Sequence, residues 1–182
     1  MDLLELVLLS ICTCAFYFLS NFYTYNVGVA MAPAVACPDV GHEIMPDLSA
    51  LVTLRDIILP LFLLPFIWVQ EKKHFAKLAV EGFMYLVTLK AITIFFTILP
   101  PSNPECARKK RYNHCFHQMF SGHNSFVLLL CILYLKFLPP RQETQAGLIA
   151  ATISYSLFII MTRAHYTVDV IVSYMIVLFL CA

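Results

Sequence analysis

The sequence predicts an all-α fold, a polytopic membrane bundle of six transmembrane helices. Composition is the first reason: 60% of the 182 residues are apolar and only 13% are charged. Soluble domains lie nearer half and a quarter. The mean hydropathy of +0.80 agrees. Charge spacing is the second reason. Stretches of about 20 residues with few charges, the length that crosses a bilayer, recur along the chain. Together these exclude a soluble enzyme, a disordered tail and a secreted disulfide mini-domain. A net charge of +1 gives no global field for nucleic acid, and the seven cysteines form neither a dense framework nor a CxxC metal pattern.

The spans follow in order. No Asp, Glu, Lys or Arg lies between Glu5 and Asp39, which places the first span near residues 3–24. Asp2 and Glu5 precede it instead of Lys or Arg, so it is expected to be an uncleaved anchor and not a signal peptide. The second span runs near 50–70. It has Arg55 and Asp56 in its first part, Pro60 and Pro65 as expected kinks, and Trp68 at belt level. The third covers 78–99 and contains Glu81 and Lys90. A long polar connection leads to the fourth, at 121–138. PPRQETQ then turns the chain into the fifth, at 145–162, and RAHYTVD into the sixth, at 166–182. One transmembrane domain, 1–182, is expected, with no internal repeat.

Six spans put the loops 25–49, 100–120 and 162–166 on one face of the membrane, opposite both termini. The positive-inside rule nearly ties between the faces. Arg108, Lys109, Lys110, Arg111 and Arg163 stand against Lys72, Lys73, Lys77, Lys136 and Arg141. The 108–111 cluster therefore answers either to an anionic ligand or to simple tolerance during insertion.

Two polar signals fall on that first face: Ser121-Gly122-His123 and His165-Tyr166-Thr167-Val168-Asp169. Four residues apart, His165 and Asp169 share one face of a helix. A carboxylate beside an imidazole fixes its tautomer and stabilises its cation, leaving the other nitrogen to attack or to move protons. A carboxylate within a membrane is a functional candidate by default. For the pair alone, a buried hydrogen bond that merely joins helices explains the residues equally well.

SGH followed by HxxxD resembles the type-2 phosphatidic acid phosphatase-like superfamily. The resemblance implies that His165 is the phosphate nucleophile, Asp169 orients it, and His123 protonates the leaving oxygen. Residues 115–123, CFHQMFSGH, look like the CGDxxFSGH block of sphingomyelin synthases, and 164–171, AHYTVDVI, like their HYTxDVI block. Cys37-Pro38-Asp39-Val40 falls where that family has its PLPD-type motif. Thr97-Ile98-Leu99-Pro100-Pro101 and Cys106 resemble the end of its third span. The chain is therefore read as similar to the sphingomyelin synthase family from about residue 33 onward, in a short form without soluble extensions. It departs from the family at Phe116-His117, where the family has Gly-Asp, and at Asn124, usually Thr. The lipid-phosphatase branch has an Arg six residues before the second His. Here position 159 is Ile, and Arg163 is nearer.

The resemblance implies a membrane phosphotransferase. It would move phosphocholine, phosphoethanolamine or phosphoinositol from a glycerophospholipid donor to a ceramide acceptor through a phosphohistidine, releasing diacylglycerol. Ser121, Arg163 and Lys90 are the expected substrate-binding residues. Lys90 is also open to pairing with Glu81 or Asp56. No cofactor and no metal are implied; His114, His117 and His123 do not make a convincing zinc set. His42 and Glu43 are expected in an exposed loop, and Cys12, Cys14, Cys131 and Cys181 as small buried hydrophobes. Localisation is expected in the Golgi, endoplasmic reticulum or plasma membrane, with the site on the lumenal or outer face, where Cys106 and Cys115 could pair. The rival readings are a lipid phosphate phosphatase and a non-catalytic membrane scaffold.

Overall fold

The computed structural model describes residues 3–31, 37–97, 99, 100, 102 and 119–182. Seven helices appear there: α1 Leu3–Met31, α2 Val40–Ile44, α3 Leu54–Ile58, α4 Lys72–Phe96, α5 Gly122–Phe137, α6 Gln142–Met161 and α7 Thr167–Cys181. Two 3-10 segments, Ser49–Leu51 and Leu59–Trp68, flank α3. No strand occurs among the described residues.

Three helices, α1, α4 and α6, are long and apolar enough to cross a membrane, while α5 and α7 are shorter apolar helices. The expected second span is not one kinked helix. Pro60 and Pro65 each lack the N–H that an α-helix needs, so the chain leaves α3 at Ile58 and continues as a 3-10 helix to Trp68.

α5 is the hub. It packs against α4, α6, α7 and the 3-10 segment Leu59–Trp68, and α1 lies along the far side of α4. Leu128, Leu129, Leu130, Leu133 and Tyr134 of α5 are buried in the main apolar cluster together with Phe75, Leu86 and Val177. Gly82 lets α4 come close: a Cβ there would lie 2.9 Å from Leu129 Cδ2. The Tyr134 ring stacks on Phe75 at 4.9 Å, and its hydroxyl donates to the Phe62 carbonyl at 3.0 Å.

Polarity is inverted relative to a soluble protein. Phe22, Phe96 and Phe179 are 68%, 79% and 87% exposed, whereas Thr13, Ser20, Asn21 and Thr24 of α1 are buried. Those polar groups serve the α1–α4 contact: Thr24 Oγ1 donates to the Ile94 carbonyl at 2.9 Å, and Thr13 meets Thr88 at 3.3 Å. Small polar residues between helices and large apolar ones outside suit a lipid solvent. With the three long apolar helices, this marks a membrane protein. It also corrects the expectation for cysteine. Cys12, Cys14 and Cys181 are exposed and Cys131 alone of those four is buried, because the first three lie on outward helix faces.

Candidate active site

The site is built where α5 and α7 begin. Ser121 caps α5, its Oγ accepting the Asn124 N–H at 3.3 Å. The preceding Phe120 has φ +33°, in the left-handed region that a bulky residue rarely adopts. Lys90 holds this turn, its Nζ donating to the Met119 carbonyl at 2.9 Å and to that of Phe120. Lys90 is buried in α4 and faces the Asp169 charge. Of the expected pairings, Glu81 goes instead to Lys77 at 3.9 Å.

Asp169 is buried and has two partners on one oxygen. Oδ2 accepts the Tyr166 N–H at 3.1 Å and faces His165 Nδ1 at 3.3 Å. The same carboxylate thus caps α7 and fixes the imidazole, with Nδ1 donating. Its Oδ1 has no hydrogen-bond partner among the described residues. The two helix starts are tied directly. The Ser121 N–H donates to Ser173 Oγ at 2.9 Å and to the Asp169 carbonyl at 3.2 Å. Ser173 sits one turn after Asp169, a spacing legible in sequence although its role was not.

His123, in the first turn of α5, points its Nε2 at Asp56 Oδ1, 3.0 Å away. That oxygen also accepts from Arg55 Nε at 3.1 Å. His123 feels the charges of Arg55, His165 and Lys90. His165 and His123 are therefore each paired with a carboxylate, Asp169 in the first turn of α7 and Asp56 of α3; His165 itself precedes the Tyr166 cap and does not share a helix face with Asp169 as expected. The sequence marked Asp56 only as a charge in a span. Nothing in the local pattern revealed that it reaches α5.

A strap from the 37–45 segment closes over the start of α7. Asp39 accepts from the Thr167 N–H at 2.8 Å, Thr167 Oγ1 at 2.6 Å and the His42 N–H at 3.0 Å. Burial disfavours its charge, but the Thr167 hydroxyl, the two N–H groups and nearby His42 outweigh it. The carboxyl therefore titrates below its ordinary value. His42 is no bystander in an exposed loop: its Nε2 donates to the His165 carbonyl at 3.0 Å, and its ring stacks on Tyr166. Tyr166 in turn donates to the Pro100 carbonyl at 3.1 Å and accepts the Cys37 N–H at 3.0 Å. Gly41 is required here, because a Cβ would collide with Thr167 Oγ1.

The structure brings His123, His165, Asp169, Ser121 and Lys90 to one end of the bundle. Arg163 follows α6 with φ +55°, and its guanidinium turns to the 45–47 loop. Nε lies 3.8 Å from Asp47 and NH2 donates to the Met45 carbonyl at 3.5 Å. Asn124, the departure from Thr, is buried and accepts from Ser156 Oγ at 2.6 Å, joining α5 to α6. His114, His117, Cys106, Cys115 and the 108–111 cluster lie outside the described residues. Among the described residues, no group of three His, Cys, Asp or Glu side chains is set to hold a metal ion.

No curated protein matches the chain. Residues 114–182, which include both histidines and Asp169, match the family model described as PAP2 superfamily C-terminal. That match supports the type-2 phosphatidic acid phosphatase-like superfamily, whose members are generally enzymes acting on phospholipids.

Proposed function

We propose that the chain is an integral membrane phosphotransferase, a single domain of six crossings. It moves a phospho-head group from a glycerophospholipid to ceramide, on the lumenal or outer face of an endomembrane or the plasma membrane. The observation that supports this reading is the pair of carboxylate-backed histidines at the adjoining starts of α5 and α7. For the second crossing, five α-helical residues and ten 3-10 residues in Leu54–Trp68 extend roughly 28 Å, close to the thickness of a hydrocarbon core.

The chemistry needs two half-reactions. His165 Nε2 attacks phosphorus while the bond from phosphorus to the diacylglycerol oxygen breaks. Asp169 stabilises the imidazolium, and His123 gives its proton to the departing oxygen. In the second half, the primary hydroxyl of ceramide attacks phosphorus. His123 takes its proton, and the N–P bond breaks to restore His165. Asp56 opposite His123 favours the protonated acid that the first half requires. In this reading Lys90 and Ser121 steady phosphoryl oxygens, and Arg163 does so on turning from Asp47.

The same side chains hydrolyse a lipid phosphate if water replaces ceramide. Mass spectrometry of lipids after incubating purified protein with ceramide and mixed glycerophospholipids separates the readings. New phosphosphingolipid together with diacylglycerol supports the transferase. Release of free phosphate from phosphatidic acid supports the phosphatase, and no turnover supports a scaffold.

A further inference from the structure

We propose that the groove between α4 and α7 holds one hydrocarbon chain of the lipid whose phosphate reaches His165. This rests on the phospholipid-directed reading of the site. The groove has a volume of about 390 Å³ and an almost wholly apolar lining. Tyr85, Leu86 and Leu89 of α4 face Met175, Ile176 and Phe179 of α7 across it.

Its position follows from the packing. α5 packs against both α4 and α7, and Leu86 and Ile176 belong to the same apolar cluster as Leu129 and Leu133 of α5. The slot between the two outer helices is therefore backed by α5 and open to lipid, with Tyr85, Met175 and Phe179 exposed on its rims.

Along α4 the groove begins one residue from the charge cluster. Leu89 immediately precedes Lys90, which holds the turn into α5 and faces Asp169. α4 and α7 run antiparallel, because Lys90 near the end of α4 holds the Met119 and Phe120 carbonyls while the adjoining Ser121 N–H donates to the Asp169 carbonyl at the start of α7. Met175 and Phe179 then lie about 9 and 15 Å along α7 from Asp169, at 1.5 Å per residue. A lipid with its phosphorus at His165 and a chain directed toward the membrane centre enters this slot. Four-carbon chains are too short to fill it. Phe18 and Phe22 of α1 are exposed apolar surface as well and serve as the comparison.

The test fills the slot with Leu89→Trp or Met175→Trp and compares dioleoyl with dibutanoyl donors of one head group. Lipid tails are as apolar as the groove, so only packing contacts are lost. We expect KM for the dioleoyl donor to rise about five-fold, with dibutanoyl turnover unchanged, which also shows that the variants fold. An equal change for both donors, or none, overturns the proposal.

A phosphatidylcholine carrying a mid-chain diazirine gives a readout independent of turnover. Label concentrated on Tyr85 and Met175, and lost in the Trp variants, supports the groove even if wild type turns over neither donor and the reaction assignment fails. Label spread equally over Phe18 and Phe22 means bulk lipid only and overturns it. So does a crosslinked dimer through Met175→Cys, which would give the groove to a second copy.

Discussion

His165 and His123 sit at adjoining helix starts, yet the chemistry asks different things of them. His165 must form a bond to phosphorus, so His165→Ala should abolish both the phospho-enzyme and turnover. His123 only moves protons, and His123→Ala should slow turnover by roughly 10²–10⁴, the range for a lost general acid–base. A nitrophenyl phosphodiester leaves without protonation. It should still label the His123→Ala enzyme, at a bond stable to base and released by acid. Label on His123, or a phospho-enzyme in His165→Ala, would reverse the assignment. Asp56 provides a finer probe. Its carboxylate lies 3.0 Å from His123 Nε2. Asp56→Asn keeps the shape and removes the charge that favours the protonated acid. We expect kcat for a natural donor to fall about tenfold while the nitrophenyl substrate is spared, in line with the loss of one charge partner. Equal losses for the two substrates would make Asp56 a packing residue. The His165–Asp169 pair was legible in sequence from its spacing, but not for the expected reason: α7 begins only at Thr167, and Asp169 reaches His165 by folding back over the Tyr166 cap. The His123–Asp56 pair was not, since it depends on how α3 and its 3-10 continuation lie against α5.

At the level of elements, the strap 37–45 decides how firmly α7 begins. Gly41 lies against Thr167 and Ile160, and a Cβ would come within 3.0 Å of Ile160 Cγ2 besides striking the Thr167 hydroxyl. Gly41→Ala should therefore lift α2 from α6 and α7 and loosen His165 through the His42 bond. We expect kcat to drop several-fold with little change in donor KM, the signature of a mispositioned nucleophile and not of lost binding. A pure KM effect would place the strap in substrate contact instead. Asp39 adds a pH signature. Its carboxyl titrates below the ordinary value near 3.8, so the folded state favours the ionised form. The stability it contributes is complete above that value and is lost as pH falls through the lower folded one. Between neutrality and about pH 3, the wild-type melting temperature in detergent should fall further than that of Asp39→Asn. Parallel curves would mean that Asp39 keeps an ordinary carboxyl. The sequence placed Asp39 in a motif through resemblance alone; its three donors come from α2 and α7 and follow from the fold.

Over the whole molecule, charge spacing marked where helices begin and end. The third to sixth expected spans overlap helices α4 to α7, of which α4 and α6 are long and apolar enough to cross a membrane, and α1 runs on from 24 to Met31. What spacing did not convey is that the proline-rich segment would run as 3-10 helix, or that α5 would take the centre. The short helices matter for function. Lys90 lies six residues before the end of α4, roughly 9 Å along its axis, and yet it reaches the turn before α5. The start of α5 is therefore recessed below the end of α4. If α4 and α6 both cross the membrane, Cys37 on the site side and the starts of α4 and α6 must face opposite compartments. Cys37 is exposed and close to Tyr166, which makes it a reporter for the site face. In a background lacking the other cysteines, an impermeant maleimide on sealed vesicles should label Cys37 from one side only. With Cys37 also replaced, Lys73→Cys and Gln142→Cys should each be labelled only from the other. Labelling of Cys37 and Gln142→Cys from the same side would mean that α6 does not cross, and the site would then have to be reached from both its flanks in one compartment.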